Sequence, residues 1–109
     1  MQTFNREEAL ELLGGDQELL KILIDSFLNE NKFEEAELQR LIQKDDLSQA
    51  ASYVHATKGA ARQLCLENLK ETGQALEDRL RGKSDGDLEL LCHQMLKDYQ
   101  EAIKVLSDD

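Results

Sequence analysis

At 109 residues the chain is long enough for one hydrophobic core and too short for two, so a single domain over 1–109 is expected. Hydrophobic residues make up 40% and charged residues 33%, a globular balance, and no run of about 18 apolar residues exists to span a bilayer. The formal net charge of −10 argues against nucleic acid and against anionic membrane surfaces, since both are held by clustered Lys and Arg. A locally basic partner, or one bringing its own metal ion, fits better. The first residues carry no apolar signal core, so a cytoplasmic location is the expectation.

Proline is absent, and Leu, Ala, Glu, Gln and Lys are abundant, which favours helices throughout. Asn5, with Glu8 three residues on, reads as a capping box opening a short helix over about 6–13, which Gly14-Gly15 ends. Asp16 then caps a long helix whose apolar stripe runs through Leu19, Leu20, Leu23, Ile24, Phe27 and Leu28. The stripe weakens across Asn29–Lys32 and resumes at Leu38, Leu41 and Ile42. A kink near Asn31 competes with one uninterrupted helix to about Lys44, and the absence of glycine or proline favours the latter. The acidic run Glu34-Glu35-Ala36-Glu37 reads as a solvated face.

Asp45-Asp46 breaks the pattern and caps a helix over about 47–64. The next helix, to about Arg81, repeats apolar or small residues at Leu66, Leu69, Gly73, Leu76 and Leu80, a bundle seam in which Gly73 marks close packing. A loop rich in turn residues, 81–87, precedes a last helix over about 87–106. Short loops join antiparallel neighbours. The expected fold is therefore all-α, an up-down-up-down antiparallel four-helix bundle capped by the short first helix. One apolar stripe per helix predicts a monomer. Cys65 and Cys92, set among apolar positions, read as free thiols, and with His55 and His93 they lack any recognised metal-ligand spacing.

The 47–64 helix is the informative one. Leu47, Ala50, Val54, Thr57, Ala61 and Leu64 form its apolar face, and His55 falls about 100° round from Val54, where core meets solvent. Its helical neighbours are Ala51, Ser52, Lys58, Gly59 and Arg62, so an imidazole projects from a clearing of small residues with two cations beside it. A glycine inside a helix costs about 1 kcal/mol relative to alanine. At Gly59 the missing Cβ lets a bulky group on the imidazole, or a partner surface, come close. Lys58, one turn on, would neutralise an anionic group there, and phosphate suits lysine.

His55-x-x-Lys58-Gly59-Ala60-Ala61, followed by Gln63 and Leu64, resembles the signature of histidine-containing phosphotransfer (Hpt) domains, and the spacing of helices on either side extends the resemblance over nearly the whole chain. Thr57 departs from an aliphatic residue common in that pattern, and Cys65 from a second glycine. The resemblance implies a phosphocarrier of two-component phosphorelays. In it His55 takes a phosphoryl group, Lys58 offsets the charge and Gly59 leaves room for the partner. Gln63, about 80° round from His55 and two turns on, would orient the imidazole or the phosphate, Arg62 would assist in charge or docking, and Ala51, Ser52 and Ala56 would form the dock.

Neutral imidazole is a good nucleophile near neutral pH, and attack on an aspartyl phosphate gives a phosphoramidate still able to pass the group on. Phosphoryl transfer depends mostly on positioning and charge neutralisation. No Mg²⁺ site and no nucleotide-binding motif are evident in the sequence, so no cofactor of its own is expected. The acceptor carboxylate and Mg²⁺ are expected on the partner, a response-regulator receiver domain, with a sensor histidine kinase as the other implied partner. The chain is expected to be an intermediate rather than an enzyme. Two other readings use the same scaffold: a helical adaptor that binds receivers without being phosphorylated, and the phosphotransfer domain of a larger hybrid or chemotaxis-type kinase.

Overall fold

The protein's computed structural model describes residues 2–109, which are all-helical, with no strand among them. Six helices follow one another: α1 (Arg6–Leu12), α2 (Gln17–Glu30), α3 (Glu35–Gln43), α4 (Leu47–Gln63), α5 (Glu67–Leu80) and α6 (Leu88–Ser107). Four begin at a side-chain cap, each satisfying one of the amides that a helix N-terminus leaves unpaired. Asn5 accepts from Glu8 N, Asp16 from Leu19 N, Asp46 from Gln49 N and Asp87 from Leu90 N, at 3.0–3.2 Å.

The helix ends share one device. After α1, α3, α4 and α5 the chain turns through a left-handed residue, Gly14, Asp45, Cys65 or Gly82, with φ between 55° and 78°. In each case a pair of backbone hydrogen bonds reaches back into the last turn, as in Leu66 N to Ala61 O (2.9 Å) and Cys65 N to Arg62 O (3.3 Å) at the end of α4. Glycine adopts this conformation without strain, whereas a Cβ there costs roughly 1–2 kcal/mol. Cys65 therefore stands where the backbone itself favours glycine. Asp45, which is exposed, offers the cleaner test. Asp45→Gly is expected to raise stability by about 0.5–1 kcal/mol in urea unfolding, with an unchanged m-value.

The single helix expected from Asp16 to about Lys44 is instead two, separated by Asn31–Glu34. Phe33 turns inward there and is 3% exposed. It lies against Tyr53 of α4 (ring centroids 5.3 Å, stacked) and Tyr99 of α6 (5.7 Å, edge-on). The backbone groups that the break frees are taken up by the same tyrosines. Tyr99 Oη donates to Asn31 O at 2.9 Å, and Tyr53 Oη accepts from Glu34 N at 2.8 Å. Thr57, buried in α4, adds a weaker bond from its hydroxyl to Asn31 Oδ1. The break is held by residues far away in sequence, so it needs neither glycine nor proline.

α4 packs most extensively on α5, and α5 on α6, while α3 lies against α4 and α2 against α6. Fully buried side chains such as Leu20, Leu38, Val54, Leu76, Met95 and Leu106 join these elements in one core. Gly73 sits at the α4–α5 contact, as the seam implied. A Cβ on it would lie 3.1 Å from Lys58 Cβ and 3.3 Å from Met95 Cε. Without one, the Lys58 stem lies across α5, and this contact assembles the site.

Candidate functional site

His55 projects from the middle of α4 with its side chain 59% exposed. Its Nδ1 is 3.1 Å from both carboxylate oxygens of Glu77 on α5. Glu77 is only 6% exposed and holds two further cations: Lys58 Nζ is 2.8 Å from Oε1, and Arg81 Nε is 2.9 Å from Oε2. Lys58 also donates to Gln74 Oε1 at 3.0 Å. Burial alone would push the Glu77 carboxyl upward. Hydrogen bonds from Lys58, Arg81 and His55 overcome that and hold it down at about 2, against an ordinary 4.5. It is therefore ionised at neutral pH. An ionised carboxylate only accepts, so the ring nitrogen facing it carries the hydrogen. In the neutral ring this leaves the lone pair on Nε2, which has no hydrogen-bond partner among the described residues.

Lys58 and Gly59 lie where the helical spacing put them. Gly59 has helical backbone and open space where a Cβ would be, with nothing within 4 Å, in contrast to Gly73. No neighbour within the fold requires a glycine at 59. Arg62 is exposed, makes no ion pair among the described residues, and borders a groove of about 280 Å³ with Lys58, Lys70 and Gln74. Gln63 is turned the other way. It lines a groove of about 230 Å³ between α2 and α4, with Leu23, Phe27, Asn31, Ala60 and Leu64, and makes no hydrogen bond to His55. Ser52 and Ala56 are exposed beside His55, but Ala51 is fully buried. Its expected place in a dock is corrected accordingly: the methyl group is core and presents no surface.

Glu77 and Arg81 escaped the reading of the sequence. A signal was present, because Glu77 follows Gly73 by four residues and so falls on the buried seam of α5, where a carboxylate requires cations. Arg81, the C-cap four residues further, falls on the same face of the helix. The partners on α4 depend on how the two helices pack, which α5 alone does not reveal.

The family model described as Hpt domain matches residues 22–105, from within α2 to near the end of α6, and the chain belongs to this family. It is similar to the virulence sensor protein BvgS of Bordetella bronchiseptica and to that of Bordetella parapertussis, 27% identical over 81 residues in each case. The match covers 74% of this chain and 6% of the length of those relatives. No solved structure gives a significant match. Hpt domains are phosphocarriers rather than catalysts and work with receiver domains and kinases of two-component systems, so membership gives this chain a phosphorelay role. Among the described residues no helix is long and apolar enough to cross a membrane.

Proposed function

We propose that the protein relays a phosphoryl group through His55, accepting it on Nε2 from the aspartyl phosphate of a receiver domain, or from a kinase, and passing it to another receiver. The observation that carries this reading is the combination at His55: an exposed ring whose Nδ1 is held by an ionised carboxylate, leaving Nε2 with its lone pair and no hydrogen-bond partner among the described residues. Nε2 attacks the phosphorus as the P–O bond to the aspartate breaks, and the aspartate leaves as a carboxylate. Lys58, 14% exposed and already at the site, offsets the negative charge that arrives. The return step reverses these bonds. The chain supplies the nucleophile and a cation, while Mg²⁺ and the acidic cluster that completes the transfer are assigned to the receiver.

The bundle that positions this site is taken as up-down-up-down, with α2 and α3 together as one arm, α4, α5 and α6 as the others, and α1 as the cap. The packing of α4 on α5 and of α5 on α6 supports that order. A single domain, a monomer and a cytoplasmic location complete the reading. For the dock, Ser52 and Ala56 are joined by the α2–α4 groove and by Ile22 of α2, an apolar side chain 61% exposed. Gln63 is assigned to partner contact in that groove, and Arg62 to charge or docking on the other flank.

Gly59 gives a separate check. Gly59→Ala meets nothing within the fold and is expected to raise helix stability by about 0.5–1 kcal/mol. Gly59→Leu is expected to weaken receiver binding about tenfold or more without unfolding the protein, as read by calorimetric titration. Undiminished affinity in Gly59→Leu would remove the partner from the explanation of this glycine.

The test of the central reading is phosphotransfer from a receiver domain labelled on its aspartate, followed by peptide mapping. Label on the His55 peptide, acid-labile and base-stable, is the expected result, and transfer to any other residue contradicts it. The relatives are sensor proteins of which the matched stretch is a small part, which favours a second reading, a phosphotransfer unit of a larger kinase. The full reading frame distinguishes the two.

A further inference from the structure

The carboxylate beneath His55 carries more positive charge than it needs. Glu77 contributes one negative charge, and Lys58 and Arg81 contribute two positive ones at 2.8 and 2.9 Å, one on each oxygen. Apart from His55 itself, no other basic side chain pairs with Glu77 among the described residues. Gln74, which shares Lys58 Nζ, is neutral, and α6 offers the Met95 methyl at the nearby α4–α5 contact. With Oε1 tied to α4 through Lys58 and Oε2 tied to Arg81 beyond its own helix, the carboxylate is fixed where it faces His55 Nδ1.

We propose that Arg81 is a positioning residue for His55: by holding Oε2 of Glu77 it fixes the carboxylate as the acceptor for the Nδ1 hydrogen, and so keeps the lone pair on Nε2. The role rests on reading His55 as the phosphoryl acceptor, but its physical content concerns the unphosphorylated protein. The local backbone supports it. Arg81 is the C-cap that follows α5, directly before the left-handed turn at Gly82, and its guanidinium reaches back one helical turn to Glu77. It is 35% exposed, as a surface salt bridge along a helix would also be, and the test must separate these two roles.

The measurement is ¹⁵N NMR of the His55 ring in the whole protein at pH 7, comparing wild type, Arg81→Gln and Arg81→Lys. The neutral ring of the wild type is expected to carry its hydrogen on Nδ1. Arg81→Gln is expected to raise the fraction carrying it on Nε2 several-fold, and Arg81→Lys to return it most of the way. Phosphoryl acceptance by Arg81→Gln should fall in step with the loss of the Nδ1-protonated tautomer. Wild-type shifts in Arg81→Gln with only a lower melting temperature would overturn the proposal and leave a structural salt bridge. Arg81→Lys, which keeps the charge, guards against poor folding of the first variant. An Nε2-protonated fraction in it as high as the glutamine variant is expected to show would also overturn the proposal. If the ring responds as expected but no protein takes label from any receiver, the positioning stands and the carrier reading falls.

Discussion

His55→Gln is expected to reduce phosphoryl acceptance from a labelled receiver to background, at least about a thousandfold, while leaving the fold intact. The side chain is 59% exposed and helps no core, so the loss of stability should stay within about 1 kcal/mol. Glutamine keeps a polar group that can face Glu77, but its amide nitrogen has no lone pair available for attack on phosphorus. Circular dichroism and thermal unfolding measure the first half of this expectation, and the transfer assay the second. A variant that folds, still binds the receiver and takes no label separates chemistry from docking. A variant that takes label at the wild-type rate would place the nucleophile elsewhere.

Glu77→Gln should produce the largest change in stability, about 3 kcal/mol at neutral pH, equivalent to a fall in melting temperature of roughly 10 °C or more for a chain of this size. The amide leaves Lys58, 14% exposed, without its counter-charge, and turns a donor toward cations that need acceptors. The dependence on pH carries a definite sign. The Glu77 carboxyl sits at about 2 in the folded protein against an ordinary 4.5, because three hydrogen bonds overcome its burial. A group depressed on folding contributes its full stability above about 4.5 and loses it as pH falls toward 2. That depression corresponds to about 3 kcal/mol. Urea unfolding between pH 7 and pH 2 should therefore show the wild-type and Glu77→Gln stabilities converging below pH 4.5. A constant separation down to pH 2 would mean that the carboxylate does not carry this contribution.

What the sequence revealed and what it hid follow from the range of each interaction. The caps at Asn5, Asp16, Asp46 and Asp87 act over three residues; the first three were read from the sequence, whereas Asp87 stood there only as the end of a loop. His55, Lys58 and Gly59 share one turn of one helix, so helical spacing alone brought them together. The clamp on Glu77 was harder, because it joins α4 to α5 across 19–22 residues and depends on Gly73 letting the helices approach. Gln63 shows the limit of spacing as a guide. Its angle from His55 was right, yet its side chain lines the groove between α2 and α4 instead. Ala51 shows the same limit in reverse, since a small residue beside an exposed one can still be core.

The joint between α2 and α3 bears on how the chain folds. Its backbone partners come from Tyr53 and Tyr99, with separations of 19 residues for Glu34 and 68 for Asn31. Nothing within residues 16–44 supplies them. Before α4 and α6 arrive, the segment has the local preferences of one continuous helix, and only docking gives the freed carbonyl and amide somewhere to go. The corner is therefore expected to form only when the first and last arms of the chain meet, with Phe33 entering the core in the same step. A peptide of this segment alone should follow its own propensities. The intact protein follows its tyrosines.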